Sequence, residues 1–283
     1  MKGHALISRK KGAGGAARLC APLLLAAAAA TSARAVTCTW TGGAAPSRAW
    51  SQDANWAGSA AVSAADTDLI FAGTAQTIAD NDVASPFLLR NLTFDSSAGA
   101  FTLSGFPLAL HGNVVNNSAA IQTIANDVVL CADSQWNAAA GDIVLAGDLS
   151  NAGNFTLKKS GARALVLAGR NVIRLADKGI AGGVLSVAGG ATTNQANGNL
   201  MATSGGNALV VTNGATFATT VGATVDNGGN TLVVAGEGST FSGCGTSFLY
   251  LNTDARLVLA DNAVVTNVTD FRIGDSTRDR ITV

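Results

Sequence analysis

Short apolar triplets recur along the chain from residue 92 onward, separated by glycine, asparagine, aspartate, serine and alanine. Successive side chains of a strand point to opposite faces, so the outer residues of Leu92-Thr93-Phe94 share one face. The same pattern recurs at Phe101–Leu103, Leu108–Leu110, Ile143–Leu145, Phe155–Leu157, Leu165–Leu167, Val184–Val187, Leu209–Val211, Leu232–Val234, Leu257–Leu259 and Phe271–Ile273. No window keeps a helical period for long, and the pattern predicts an all-β chain of many short strands.

Strands this short must share one core, because ordering each residue costs about 1–2 kcal/mol of backbone entropy. Apart from the interval between Leu108 and Ile143, neighbouring triplets in this list begin about 7 to 25 residues apart. A solenoid tolerates such scatter because insertions loop out of its turns, whereas an antiparallel sandwich favours longer strands joined by two-residue turns. We therefore expect a parallel β-helix, the pectin-lyase-like solenoid, over residues 92–283.

Residues 36–91 differ in composition from the rest of the chain, since they contain three of its four tryptophans, Trp40, Trp50 and Trp56. A solenoid needs a cap over its open end. The first interpretation is that the indole rings pack an N-terminal cap together with the first strands. The alternative is that they form an exposed platform for a sugar.

The first 35 residues have the order of a secretory signal peptide: a basic stretch to Arg18, an apolar run over Leu19–Ala30 and a small-residue exit. Cleavage is expected between Ala35 and Val36, with Ala33 completing the cleavage motif. The apolar run is shorter than the roughly 20 residues that a membrane span requires. The mature chain is therefore expected to have no integral membrane span.

Removing this segment changes the charge balance. The whole chain has 18 Lys and Arg against 18 Asp and Glu, but six of the bases precede residue 36. The remainder has 12 bases and 18 acids, a net charge of −6, which argues against a nucleic-acid partner. Scarcity of Glu and Lys, the charged helix formers, agrees with an all-β fold.

Residues suited to catalysis or metal binding are few. The remainder has one histidine, His111, and three widely spaced cysteines, Cys38, Cys131 and Cys244, without the paired spacing of a zinc site. A buried free thiol is the expected state of Cys131, whereas the disulfide state of the three cysteines stays open. Neither a phosphate-binding loop nor a dinucleotide fingerprint is present, and no cofactor is expected.

Paired acids keep one catalytic alternative open, because exported β-helices include polysaccharide lyases and glycosidases, which need two or three carboxylates on one face. The candidate pairs are Asp66 with Asp68, Asp80 with Asp82, and Asp275 with Asp279. Ten of the 17 aspartates in the chain adjoin Gly, Asn or Ser, which is typical of turns. We expect these acids to serve turns.

A series of motifs lies between residues 38 and 187: Trp40-Thr41-Gly42, Trp50-Ser51, Asn55-Trp56, Asp66, Ile70-Phe71, Asn91–Asp95, Gly99–Gly105, Gln135–Asn137, Ile143–Gly147, the unit Leu157–Gly169 and its closing strand Gly183–Val187. In residue types and spacing these motifs resemble the autotransporter-associated β-strand repeat proteins of bacteria. Arg163 replaces a glycine of that unit, and the turn that usually follows is missing. The resemblance implies an exported β-helical passenger, usually part of a longer chain with a translocator or sorting signal.

We therefore expect a non-catalytic, secreted or cell-surface β-helix that acts as a scaffold or adhesin. The alternatives are a carbohydrate-active β-helix enzyme and a sugar-binding module using Trp40, Trp50 or Trp56. Expected partners are a surface glycan or a second copy bound through the open C-terminal edge, where the β-helix is expected to be incomplete.

Overall fold

The computed structural model describes residues 36–283, apart from residues 59, 197, 203, 204, 221, 227 and 275–277 and the side chains of residues 244–247. These residues form a parallel β-solenoid of about nine coils, with one short 3-10 turn at Asp53–Asn55 and no α-helix among them. The predicted parallel β-helix is confirmed. The predicted signal peptide, with Ala33 and Ala35, lies outside the described residues.

Three parallel sheets run along the solenoid. Sheet A consists of β1 (Thr37–Trp40), β2 (Asp68–Phe71), β5 (Asn91–Phe94), β8 (Val114–Asn116), β11 (Ser134–Ala138), β14 (Leu157–Ser160) and β17 (Leu175–Ile180). Sheet B consists of β3 (Ile78–Asn81), β6 (Thr102–Gly105), β9 (Gln122–Ile124), β12 (Ile143–Leu145), β15 (Ala164–Leu167), β18 (Val184–Ala188), β21 (Ala208–Thr212), β24 (Thr231–Ala235), β26 (Arg256–Ala260) and β28 (Arg280–Thr282). Sheet C consists of β4 (Phe87–Leu89), β7 (Leu108–Leu110), β10 (Val128–Leu130), β13 (Leu149–Ser150), β16 (Asn171–Ile173), β19 (Ala191–Asn194), β20 (Gly198–Asn199), β22 (Thr216–Thr219), β23 (Ala223–Asp226), β25 (Thr240–Asn252) and β27 (Val264–Ile273).

Each coil places equivalent residues side by side in adjacent strands. In sheet A, Leu92 pairs with Val114, and Val114 pairs with Trp136, so that one coil takes 22 residues there. In sheet B the coil from Ala164 to Val184 takes 20 residues, and the coil from Thr231 to Arg256 takes 25. Loops at the corners absorb the difference, which is why the strand spacing in the sequence is irregular.

Side chains along each strand point alternately into the solenoid and out to its surface, and the inward ones form the core. In β5, Leu92 and Phe94 are buried and Thr93 between them is half-buried on the outward face. Phe71 packs on Phe94 with ring centroids 5.8 Å apart, and on Trp40 at 5.9 Å, so aromatic rings stack from coil to coil. Each large apolar side chain buried in this way contributes about 1.5–3 kcal/mol of transfer free energy.

Two triplets behave differently from the pattern. The strand predicted at Phe155–Leu157 begins at Leu157, and half-buried Phe155 precedes it. Phe271 and Ile273 were expected on the core face, yet they are 42% and 51% exposed. They pair in register with buried residues of β25, but they lie in the last coil, where no described strand covers them.

No helix among the described residues has the length and apolarity to cross a membrane. The strands of residues 36–91 already contribute to all three sheets, with β1 and β2 in sheet A, β3 in sheet B and β4 in sheet C. The N-terminal segment thus combines the tryptophan cluster with the beginning of the solenoid.

Candidate functional site

The three N-terminal tryptophans form a buried cluster. Trp40 and Trp50 are fully buried and Trp56 is 3% exposed. The Trp56 ring meets Trp40 edge-on at 5.2 Å, and its Nε1 donates a hydrogen bond of 2.8 Å to the carbonyl oxygen of Trp50. A sugar stacks on an exposed ring face, and none of these rings offers one. The structure corrects the alternative that assigned Trp40, Trp50 and Trp56 to sugar contact: they pack the start of the solenoid.

The acids proposed as pairs have separate partners. Asp80 accepts a hydrogen bond from Ser104 and lies 3.6 Å from the Arg48 guanidinium, whereas Asp82 accepts hydrogen bonds from the backbone and hydroxyl of Ser51. Asp279 accepts a hydrogen bond of 3.0 Å from a backbone N–H of the preceding coil, and its proposed partner lies outside the described residues. These side chains connect neighbouring segments of the solenoid.

Several aspartates at the corners bind the backbone of the next coil. Asp142 Oδ1 accepts a hydrogen bond of 2.9 Å from the backbone N–H of Ala164, and Asp148 Oδ1 accepts one of 2.8 Å from Arg170. That hydrogen bond, with the Arg170 side chain, lowers the pKa of Asp148 below its ordinary value. In both cases the partner is 22 residues ahead, one coil away. The predicted structural role of the aspartates is confirmed at these positions.

A polar ladder follows the outward face of sheet A. We call Asp68, Asn91, Asn113 and Gln135 the sheet A ladder, because they occupy adjacent strand positions. Asn91 Nδ2 donates to Asp68 Oδ1 at 2.9 Å, and Asn91 Oδ1 accepts from the Asn113 backbone at 3.0 Å. Asn113 Oδ1 in turn accepts from the Gln135 backbone at 2.8 Å. The ladder satisfies backbone donors that the strand pairing leaves unpaired.

The ladder borders a shallow depression of about 330 Å³. Besides three ladder residues, the lining residues are Thr37, Ile70, Thr93 and Val115. Hydroxyl, amide and carboxylate groups alternate here with the methyl groups of Ile70 and Val115. Sugars present the same combination of hydroxyl groups and apolar C–H faces, so the depression has the chemistry to contact a glycan.

Asp68 at one end of this depression is held as a carboxylate. Arg90 Nε donates to Asp68 Oδ1 at 2.9 Å, and a second guanidinium nitrogen binds Oδ2. The hydrogen bonds from Arg90 and Asn91 hold the pKa of Asp68 below its ordinary value, against the opposing effect of burial. A general acid needs a raised pKa near the working pH. The environment of Asp68 is therefore that of a structural ion pair.

Lys159 is a buried residue that the sequence pattern missed. It faces the core of sheet A in register with Trp136 and is fully buried. Its ammonium group donates hydrogen bonds to the carbonyl oxygens of Gly161 at 2.7 Å, Gly182 at 2.5 Å and Arg163. Burial lowers the pKa of Lys159 to about 8, although the charge of Asp142 acts in the opposite direction.

A second missed cluster lies on the outward face of β25 and β27. The Tyr250 hydroxyl donates to Asp270 Oδ2 at 2.9 Å, and Arg272 forms an ion pair with the same carboxylate at 2.6 Å. The Arg272 guanidinium also lies 4.9 Å from the centre of the Tyr250 ring, whose neighbour Phe248 stacks on it at 4.4 Å. Pairing across a 20-residue interval creates the cluster, and no local motif marks it.

The remaining candidates have structural environments. Cys38 is buried and Cys131 is half-buried, and both are free thiols. Cys131 was expected to be a buried free thiol; it is free but only half-buried, and this partial burial raises its pKa. The Cys244 side chain lies outside the described residues. Within the described part of the chain, no three His, Cys, Asp or Glu side chains form a group that could hold a metal ion.

Comparison of the chain with protein-family models, curated proteins and solved structures found no match.

Proposed function

We propose that this chain is an exported, non-catalytic β-helical protein that acts as a scaffold or adhesin at the cell surface, like the passenger of autotransporter-associated repeat proteins. One observation carries the proposal: the aspartates and asparagines at the corners and on sheet A bind the backbone of neighbouring coils. These hydrogen bonds between coils make the surface of the solenoid rigid along its length. A rigid row of polar groups suits contact with an extended polymer better than bond cleavage.

The sheet A depression is the proposed contact surface. It presents donors and acceptors on adjacent strands, which lie about 4.8 Å apart along the solenoid. The side chains of Asp68, Asn91 and Asn113 are already hydrogen-bonded to a neighbouring side chain or backbone N–H, so binding would order few additional rotamers. We propose a neutral surface glycan as the ligand, lying along sheet A.

Binding of neutral polysaccharides to the purified chain tests this surface, with dextran and mannan as probes. Val115→Arg places a long charged side chain in the depression, and Val144→Arg is the matched control on the outward face of sheet B. We expect Val115→Arg to weaken binding at least about tenfold, a loss of roughly 1.4 kcal/mol, and Val144→Arg to leave binding unchanged. Equal effects of both variants, or no binding by the unmodified chain, would contradict the proposed surface.

Two further measurements test whether the protein is non-catalytic and whether it is exported. Incubation with polyuronates and neutral polysaccharides should produce neither new reducing ends nor unsaturated sugars, and either product would establish the enzyme alternative. Fractionation of the native host with an antibody to the chain should place it outside the cytoplasm, with Val36 as the first residue. A chain found only in the cytoplasm would overturn the proposed export.

A further inference from the structure

Two arginines of sheet B differ from all the other arginines in residues 36–283. Nine arginines occur in this range. Seven have a side-chain hydrogen bond or ion pair with an oxygen of the chain, namely Arg48, Arg90, Arg163, Arg170, Arg174, Arg272 and Arg278. Arg256 and Arg280 are exposed, and within the described part of the chain neither guanidinium has an acceptor.

The two residues are also neighbours. Arg256 begins β26, Arg280 begins β28, and the two residues pair in register on adjacent parallel strands. Like charges directly opposite each other in a sheet repel and destabilise it. A bound anion would remove this repulsion, because a guanidinium presents parallel N–H donors that match a carboxylate, sulfate or phosphate group.

The pair lines an open cleft of about 460 Å³ together with Gly228, Gly229, Asp254 and Arg278. We call this the Arg cleft. Among the lining residues that the structure describes, Asp254 is the single acid, and it lies 3.4 Å from Arg278. These described residues carry three positive charges against one negative charge. Gly229 has a φ of +81°, and a Cβ at this position would meet no atom within 4 Å, so open space adjoins this glycine.

We propose that the Arg cleft binds an oxyanion group, a sulfate or carboxylate carried by an acidic polysaccharide. The cleft is in the range of small-ligand sites and is much larger than a bare ion. Arg256 and Arg280 are exposed first residues of two sheet B strands, so a substituent of a polymer can reach them from solvent. This inference goes beyond the proposed function, because it concerns another sheet and a charged ligand.

Binding to immobilised dextran sulfate, with neutral dextran as the reference, tests the proposal on the purified chain. We expect Arg256→Gln with Arg280→Gln to weaken dextran sulfate binding at least about tenfold. Lys158→Gln is the matched control, because Lys158 is an exposed cation on the outward face of sheet A. Thermal unfolding of each variant establishes that it is folded.

Conservative replacement separates specific recognition from general attraction. Arg256→Lys with Arg280→Lys keeps both charges but removes the paired donors, so we expect it to weaken binding as well. Equal loss in the Lys158→Gln control, or full retention in the lysine variants, would show general attraction and overturn the proposal. Absence of dextran sulfate binding by the unmodified chain would overturn it too.

The source of the anion is decided by competition with inorganic sulfate, phosphate and acetate. If the ligand is a group carried by a polymer, we expect the free ions to displace dextran sulfate only weakly at equal charge concentration. Complete displacement by free ions at equal charge concentration would overturn the polysaccharide as the ligand. None of these outcomes depends on the sheet A depression, so failure of the neutral-glycan proposal is distinguishable from failure of this one.

Discussion

The Lys159 ammonium group lies 2.5 Å from the carbonyl oxygen of Gly182, which belongs to the next coil. This contact joins two coils through a charged side chain that is fully buried. Two further carbonyl oxygens, those of Gly161 and Arg163, complete its surroundings. A buried ammonium is tolerated when such acceptors replace the water that burial removes.

Replacing Lys159 with methionine should destabilise the solenoid. The substitution preserves much of the apolar stem but leaves three carbonyl oxygens without their donor. We expect the free energy of unfolding to fall by roughly 2–4 kcal/mol, measured by urea denaturation. Lys158→Met, the same change on the adjacent exposed residue, is the control and should have little effect. Equal stability of the two variants would contradict a structural role for the Lys159 ammonium.

Lys159 should also make stability depend on alkaline pH. Its pKa in the folded chain is about 8, below the ordinary value of 10.5. Between these values the unfolded chain binds more protons than the folded chain, so the free energy of unfolding rises with pH, and this gain is lost as pH falls towards 8. The expected change is about 3 kcal/mol. Urea unfolding midpoints should be measured from about pH 7.5 to about pH 10.5. They should rise more steeply for the unmodified chain than for Lys159→Met, because only the unmodified chain has a titrating group at this position. Parallel curves for the two proteins would contradict the lowered pKa of Lys159.

Asp142 provides a test of the corner hydrogen bonds. Asp142→Ala removes the acceptor of the Ala164 N–H and should reduce the free energy of unfolding by about 1 kcal/mol. Asp142→Asn retains an oxygen at the same position and should preserve most of the stability. Thermal and urea unfolding of both variants measure the difference. If asparagine is as destabilising as alanine, charge rather than the hydrogen bond is the source of stability.

The tryptophans should report a closed interior. Trp136 is also fully buried, so all four indole rings of the chain lie inside the solenoid. We expect blue-shifted fluorescence with weak quenching by acrylamide, and no change in emission when dextran, mannan or dextran sulfate binds. A spectral shift on binding would show that a ring lies at the ligand site and would return Trp40, Trp50 or Trp56 to that role.

Much of the fold is predictable from local pattern. The triplet Ile143–Leu145 forms β12, and its outer side chains are buried as expected, with Val144 half-buried between them. The same reasoning failed at β14, because a charged residue such as Lys159 does not mark a core position. It also failed at Phe271, because exposure depends on the presence of a covering strand.

The candidate sites were less predictable than the strands. Asp68 was considered beside Asp66, its neighbour in sequence, yet its bonded partners are Arg90 and Asn91 in the next coil. No sequence motif contains both Arg256 and Arg280, because 24 residues separate them. Only the register of β26 with β28 makes them neighbours.

The sequence by itself determined the all-β character, the stacking of short strands and the structural use of most aspartates, because period-two alternation and turn chemistry act over a few residues. Tertiary structure decided which side chains meet. Coils of 18 to 31 residues bring distant positions into register, and the lengths of the corner loops set that register. The burial of the tryptophans, the carbonyl partners of Lys159 and the pairing of Arg256 with Arg280 all follow from it.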